Sequence, residues 1–158
     1  MRRTDREVTD LHQIKAILDS CQHVCYALWD GEEPYAVIMN FGYEFSSEGR
    51  LKLYSHGAKE GRKTEIIRDK CDKAAAIVKC GERVVLNADE PCKSGSAFES
   101  VMARGRMRIL EGGEARHALE VFYKHQAGVV PEFSDEALKW VNVFCLDCET
   151  FSAKKCVR

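Results

Sequence analysis

The stretch Phe98–Leu110 constrains this chain more than any other. Its odd positions Val101, Ala103, Met107 and Ile109 are apolar, while its even positions include Ser100, Arg104, Arg106 and Arg108. Successive side chains of a strand point to opposite faces, so the pattern describes a long, half-buried β-strand. Gly105 falls in its middle, where a glycine marks a bulge or the close approach of another group. Shorter apolar runs surround it. Val24–Trp29 and Tyr35–Phe41 are joined by Asp30-Gly31-Glu32-Glu33-Pro34, a link rich in turn formers that predicts a hairpin. Leu51–Ser55 follows the turn Ser46-Ser47-Glu48-Gly49. Ala74–Lys79 ends at Cys80-Gly81, Val84-Val85-Leu86 offers a short strand before the loop Asn87–Ser96, and Val141–Leu146 is the last long strand.

Helical spacing is found in three places. Asp10–Ser20 carries Leu11, Ile14 and Leu18 on one side, with Asp10 as a cap and Gln13 as its capping-box partner. Lys59–Lys70 has Ile66 and Ile67 for an inner side. Glu114–Gln126 lines up Ala115, Ala118, Leu119 and Phe122, and Gly128 is a plausible stop. Ser134-Asp135-Glu136 opens a short helical turn, and the tail 149–158 is expected to add a short strand or fray. Six or seven strands joined mostly by turns, without βαβ alternation or internal repeat, predict a mainly β, antiparallel small barrel with peripheral helices. The whole of 1–158 reads as one domain.

The charge balance, 24 basic against 25 acidic residues, gives no overall drive toward nucleic acid or anionic membrane, so any anion site must be local. No apolar run approaches the roughly 20 residues that span a bilayer. The charged start Met1–Glu7 is not a signal core, which predicts a cytoplasmic protein. Its eight cysteines are accordingly expected to be mostly reduced thiols.

Tyr54–Lys63 carries the most chemistry. A strand end, a turn through His56-Gly57-Ala58 and a helix start bring Lys59, Arg62 and Lys63 to the first turns of a helix, where the macrodipole disfavours cations. A bound anion reverses that penalty, and Ser55 and Gly57 add a hydroxyl and an approachable backbone. The same charges also describe a solvated helix face. There is no Walker motif and no Gly-x-Gly-x-x-Gly fingerprint. Cys145 and Cys148 are three apart on a strand and point to opposite faces, which works against a shared metal. Arg104, Arg106 and Arg108 form a stripe that is either solvated, acid-paired or a contact for an acidic ligand. Trp29 and Trp140 read as core or interface residues. His12, His23, His117 and His125 read as structural.

Several blocks together resemble one family. The opening Met-Arg-Arg-x-Asp-Arg-Glu-Val, Tyr35-x-Val37 with Asn40-Phe41-Gly42-Tyr43-Glu44, Leu53-Tyr54-Ser55-His56-x-Ala58-Lys59-Glu60-Gly61-Arg62-Lys63, and Ser100-Val101 before Gly105 are similar to the 5-nitroimidazole-resistance (Nim) proteins. That family lies within the pyridoxamine 5'-phosphate oxidase-like FMN-binding split-barrel superfamily. The likeness covers roughly residues 1–125. It implies a six-stranded antiparallel Greek-key split β-barrel that forms a homodimer with FMN in clefts at the subunit interface. Arg62 and Lys63 resemble the pair on the phosphate, with Lys59 and Gly61 beside them. Met39, Asn40 and Phe41 would line the isoalloxazine edge, Tyr54, Ser55 and His56 would reach the ring and ribityl chain, and Ser100 and Val101 would meet the flavin from the partner subunit. His56 is the candidate catalytic residue. The implied activity is electron transfer from reduced flavin to a small acceptor such as a nitroaromatic. A pyridoxamine-phosphate-oxidase-like enzyme, with Arg104 or Arg106 on a second phosphate, and a non-catalytic flavin- or haem-binding protein are the alternatives. Three departures stand out. His-Ser-Ala becomes His56-Gly57-Ala58, an Asn-Pro pair becomes Lys70-Cys71, and residues 83–96 are rich in cysteine and charge.

Overall fold

The computed structural model describes residues 3–157. Its strands are β1 (Glu7–Val8), β2 (His23–Trp29), β3 (Pro34–Asn40), β4 (Gly42–Phe45), β5 (Leu51–Ala58), β6 (Lys73–Val85), β7 (Gly95–Leu110) and β8 (Val141–Cys156). All pair antiparallel in one sheet of order β3-β2-β6-β7-β8-β5-β4, with β1 added on β8. The sheet curls until β3 and β5 touch, but no backbone ladder joins them. One side-chain bond crosses that gap: the Ser55 hydroxyl donates to the Asn40 carbonyl at 2.8 Å. The curled sheet encloses a core in which Val24, Tyr26, Phe41, Leu53, Met107, Phe144 and Leu146 are almost wholly buried. Each such side chain contributes about 1.5–3 kcal/mol on leaving water.

Helices close the remaining openings. α1 (Leu11–Asp19) seats Ile14, Ile17 and Leu18 in that core, and the Asp10 carboxylate accepts from the Gln13 amide at 2.9 Å, as its spacing predicts. α2 (Arg62–Glu65) runs into a wider turn over Ile66–Lys70, closed by the Cys71 amide on the Ile66 carbonyl. α3 (Gly112–Ala127) lays Ala115, Ala118 and Leu119 on Tyr54, Val143 and Cys145, a second cluster on the other side of β5 and β8. It stops at Gly128, whose φ of 71° is left-handed. Ser134 caps α4 (Asp135–Leu138). No helix among the described residues is long and apolar enough to cross a membrane.

The departures from expectation have physical reasons. Eight strands are present where six were expected, because the short β4 and β1 add to the sheet through pairing with distant β5 and β8. The tail does not fray: β8 continues to Cys156, laddered to β7 from Phe98 to Leu110. The helix expected over 59–70 begins only at Arg62, since β5 continues to Ala58 and Gly61 takes a φ of 117° that no helix contains. Lys59 therefore never shares a helical face with Lys63. Cys145 packs under α3 and Cys148 in the main core, on opposite faces as their spacing requires, and burial pushes both thiols up to about 12.

Gly105 is both a bulge and a close approach. The β7–β8 register slips there, Arg104 facing Thr150 and Gly105 facing Cys148, and a Cβ on Gly105 would lie 1.9 Å from the Asp147 carbonyl oxygen. Gly105→Ala is expected to cost at least about 2 kcal/mol, because backbone must move. Chemical denaturation measures it, and an unchanged midpoint would show that the pinch is soft.

At the hairpin tip, Asp30 is buried and accepts from the Glu32 and Glu33 amides at 2.9 and 2.8 Å, while Arg62 reaches its other oxygen at 2.5 Å. The Glu33 amide, then the Arg62 guanidinium and the Glu32 amide, hold this carboxyl well below the usual carboxylate range. A carboxyl depressed in the folded state stabilises it above the ordinary value near pH 4 and stops doing so as the pH falls through the folded value. Asp30→Asn is thus expected to lower the unfolding midpoint at neutral pH and to lose that deficit in acid. A deficit that does not change with pH would show that the charge is irrelevant.

Candidate functional site

Arg62, at the start of α2, reaches Asp30 and Glu33 in the link between β2 and β3, and β3 in turn touches β5. The turn between β5 and α2 is fastened by two buried polar residues that the sequence did not single out. Thr64 donates its hydroxyl to the Ala58 carbonyl at 3.3 Å, and Asn142, at the start of β8, donates to the Lys59 carbonyl at 3.0 Å. These bonds hold Arg62 and Lys63 against the end of the sheet.

The two cations behave differently. Arg62 is already engaged: it pairs with Asp30 and with Glu33, each at 2.5 Å, and lies over the Tyr35 ring. Lys63 has no carboxylate partner among the described residues. Its Nζ sits 5.0 Å above the centre of the buried Phe144 ring, and burial lowers its pKa. A Cβ on Gly57 would come within 2.7 Å of that Nζ. The glycine that replaces serine in His56-Gly57-Ala58 is therefore the space the Lys63 ammonium occupies.

Strand alternation splits the remaining β5 candidates between two faces. Ser55 and Gly57 face the core side. Ser55 is buried, with the Tyr26 hydroxyl 3.1 Å from its Oγ. Tyr54 and His56 face α3. The Tyr54 hydroxyl donates to Glu44 at 2.5 Å, and burial followed by this bond raises its pKa. His56 meets Phe122 edge-on at 4.6 Å and stacks on Tyr123 at 6.2 Å. Burial, and secondarily the charge of Lys63, lower the His56 pKa, so the imidazole is neutral at physiological pH.

At the end of β3 and just beyond it, the Met39 and Phe41 side chains are buried in the core, which leaves their backbone as what a ligand could reach. Asn40 is exposed and donates to the Gln126 side chain at 2.9 Å. The Phe41 carbonyl accepts from Gln126 and from the His125 ring, both at 2.7 Å, so the end of α3 fixes this wall of the gap. Lys59 lies elsewhere, lining a depression with Leu138, Lys139 and Val141. Gly61 is the turn that starts α2. Ser100 and Val101 are not brought to the gap within one chain, since β8 separates β7 from β5, and β6 and β2 separate it from β3. In the basic stripe, Arg106 pairs with Asp72 and Glu149 and Arg108 with Glu114 and Asp147.

The sequence missed Asp30, Tyr26, Asn142, Phe144 and Tyr123, each contributed by an element remote from Tyr54–Lys63. Only Asp30 carried a signal, as a turn-forming residue at a hairpin.

No curated protein matches the sequence. Solved structures do. A candidate 5-nitroimidazole antibiotic resistance protein from Bacteroides thetaiotaomicron is 28% identical, with a TM-score of 0.78 over 94% of this chain and 85% of that one. A FAD and haem binding protein from Mycobacterium smegmatis shares the fold at 18% identity, with a TM-score of 0.79 over 95% and 73%. A flavocytochrome from Azotobacter vinelandii does so at 20% identity, with a TM-score of 0.76 over 100% and 72%. The model of the pyridoxamine 5'-phosphate oxidase family matches residues 10–155, nearly the whole described chain, and the protein belongs to that family.

Proposed function

We propose that this chain is a homodimeric FMN-binding oxidoreductase of the Nim type, which passes electrons from reduced flavin to a small acceptor such as a nitroaromatic. The observation that carries the reading is Lys63: a half-buried ammonium with no carboxylate partner among the described residues, in a niche that Gly57 opens on β5. A phosphate supplies the missing counter-charge, and charge-assisted bonds of this kind are among the stronger ones. Arg62, held in place by Asp30 and Glu33, keeps an exposed edge and would add a second donor. Bound flavin would supply the redox chemistry. The chain would anchor the phosphate through Lys63, present Asn40 and the Phe41 backbone along one edge, and offer neutral His56 to hold or move a proton at a ring nitrogen. The nitroimidazole-resistance description of the 28%-identical relative supports a small nitroaromatic acceptor.

The outer face of the sheet supports the dimer. Ile38, Cys25, Ile77 and Met102 stand directly opposite one another across β3, β2, β6 and β7, and the next row is Ala36, Ala27, Ala75 and Arg104. Ile38 is 70% exposed, and Ile77, Met102 and Trp29 are 40–46% exposed. A contiguous apolar face of this kind is characteristic of an interaction surface. Ser100 shares the face of Met102, so a second copy seated there would bring its own β7 toward the site.

Lys63→Ala is expected to weaken FMN binding roughly ten- to hundredfold, the loss of one charge-assisted bond. Gly57→Ser moves only the flexible end of Lys63 and should change binding far less than Lys63→Ala, while Arg106→Ala and Arg108→Ala leave it nearly unchanged. Titration of flavin fluorescence reads all four, and equal behaviour of Lys63 and Arg108 variants would remove the phosphate assignment. Anaerobic reduction of the bound flavin followed by a screen of acceptors tests the activity. Separately, Ile38→Asp with Ile77→Asp is expected to convert a dimer into a monomer in sedimentation; an unaltered mass would place the interface elsewhere.

A further inference from the structure

Two of the eight cysteines meet where α1 ends against β6. Cys21 follows the last turn of α1, its amide bonded to the Leu18 carbonyl at 3.1 Å, and its side chain is buried in the main core. Cys80 packs on the same core from β6, and its thiol donates to the Ile17 carbonyl at 3.9 Å, in that same turn of α1. Ile17 lies one helical turn before Cys21, so this contact brings the Cys80 thiol to the stretch of chain that carries Cys21, within one core cluster. Both stand where regular structure gives way. Cys21 lies in the link between α1 and β2, and the β6–β7 register slips between Cys80 and Arg83. Small adjustments of the kind a disulfide needs therefore do not have to break a helix or a ladder.

We propose that Cys21 and Cys80 form a redox-modifiable dithiol that hydrogen peroxide closes to a disulfide. Cys80 is the more exposed thiol and reacts first. Its thiolate attacks one peroxide oxygen, the O–O bond breaks, and the departing hydroxide takes up a proton to leave as water, so Cys80 becomes a sulfenic acid. The Cys21 sulfur then gives up its proton and attacks the Cys80 sulfur. The S–O bond breaks, and the released hydroxide takes the Cys21 proton and leaves as a second water. In sum, two thiols lose two protons and two electrons, and one peroxide becomes two waters.

Burial raises both thiols, Cys21 to about 12. Glu82 and Glu99 face the pair and oppose thiolate formation, whereas Lys155, bound to Glu99 at 2.5 Å, favours it at Cys80. Closure is therefore slow at neutral pH and accelerates in mild alkali. The bond would fix the α1–β2 junction, whose Leu18 and Gln22 carbonyls lie against His125 and accept from Asn40 and Gln126. Thiol state would thus be felt at the β3 wall of the gap, whether or not that gap holds a flavin.

The test treats the folded, full-length protein with hydrogen peroxide in mild alkali, alkylates the remaining thiols after unfolding, and maps the peptides without reductant. A Cys21–Cys80 link lighter by two hydrogens, reversed by dithiothreitol and kept in Cys25→Ser, is expected. Cys80→Ser should abolish it, and Cys21→Ser should leave a Cys80 sulfenic acid that dimedone traps. Because Cys80 is only partly buried, its variant decides the matter even where Cys21→Ser does not fold. Cys80 advancing to sulfinic acid with Cys21 still alkylated, or a link made to Cys25 instead, would overturn the proposal.

Discussion

The antiparallel ladder between β7 and β8 is the interaction on which the rest of the molecule hangs. It runs unbroken in pairing from Phe98–Cys156 to Leu110–Val143, apart from the slip at Gly105, and every other strand except β3, β2 and β4 pairs directly with one of its two members. A ladder this long must twist. At Gly105 the two backbones come closer than any side chain permits, and the extra residue on β8 increases the local bend. That bend lets a single sheet curl far enough for β3 to meet β5. The packed interior, with Val101, Ala103 and Met107 on one strand and Phe144 and Leu146 on the other, is the product of that curl.

The same ladder reaches the candidate site through β8. Asn142 at its start ties down the turn before α2, and Phe144, two residues on and facing the core, is the platform beneath Lys63. Among the described residues the cation has no counter-ion and rests on the Phe144 ring. Moving an ammonium out of water without an anion is unfavourable, and the lowered pKa of Lys63 expresses that cost. Arg62, one residue away, has spent its charge on the hairpin tip. A ligand that brings its own negative charge would supply the first with a counter-ion, and would share the second with the carboxylates it already has. The two neighbours that look equivalent in sequence thus differ: Arg62 fastens β2–β3 to α2, and Lys63 would be the one free to meet an anion.

Features whose cause is local were legible in the sequence. The Asp10 cap, the Gly128 stop, the Ser134 cap and the Asp30–Pro34 hairpin each depend on residues within one turn of each other. The Gly105 reading was legible because alternation around it was so regular. What stayed hidden depends on partners far along the chain. β4 is four residues long and becomes a strand only by pairing with β5, and the charged tail is ordered only by its ladder to β7. Lys59–Lys63 has the composition of a helix, yet β5 pairing with β8 continues as far as Ala58 and delays it. In the site, charge pattern identified the cations but not the carboxylates, 29 and 32 positions away, that neutralise one of them. Nor could a list of adjacent residues show that Tyr54 and His56 turn toward α3 while Ser55 and Gly57 turn toward the core.

That division of β5 says how the site would operate. The core-facing side offers a fixed cation, a buried hydroxyl and a glycine niche, all means of anchoring. The α3-facing side offers a partly buried neutral imidazole against two aromatic rings, a group that would be able to take up or release a proton. The two sides are one strand's thickness apart yet coupled, since the charge of Lys63 contributes to lowering the His56 pKa. The departure at Gly57 changes only the anchoring side. It leaves room beside β5 for the end of the Lys63 side chain, which a larger residue would push aside by a small shift of that flexible chain.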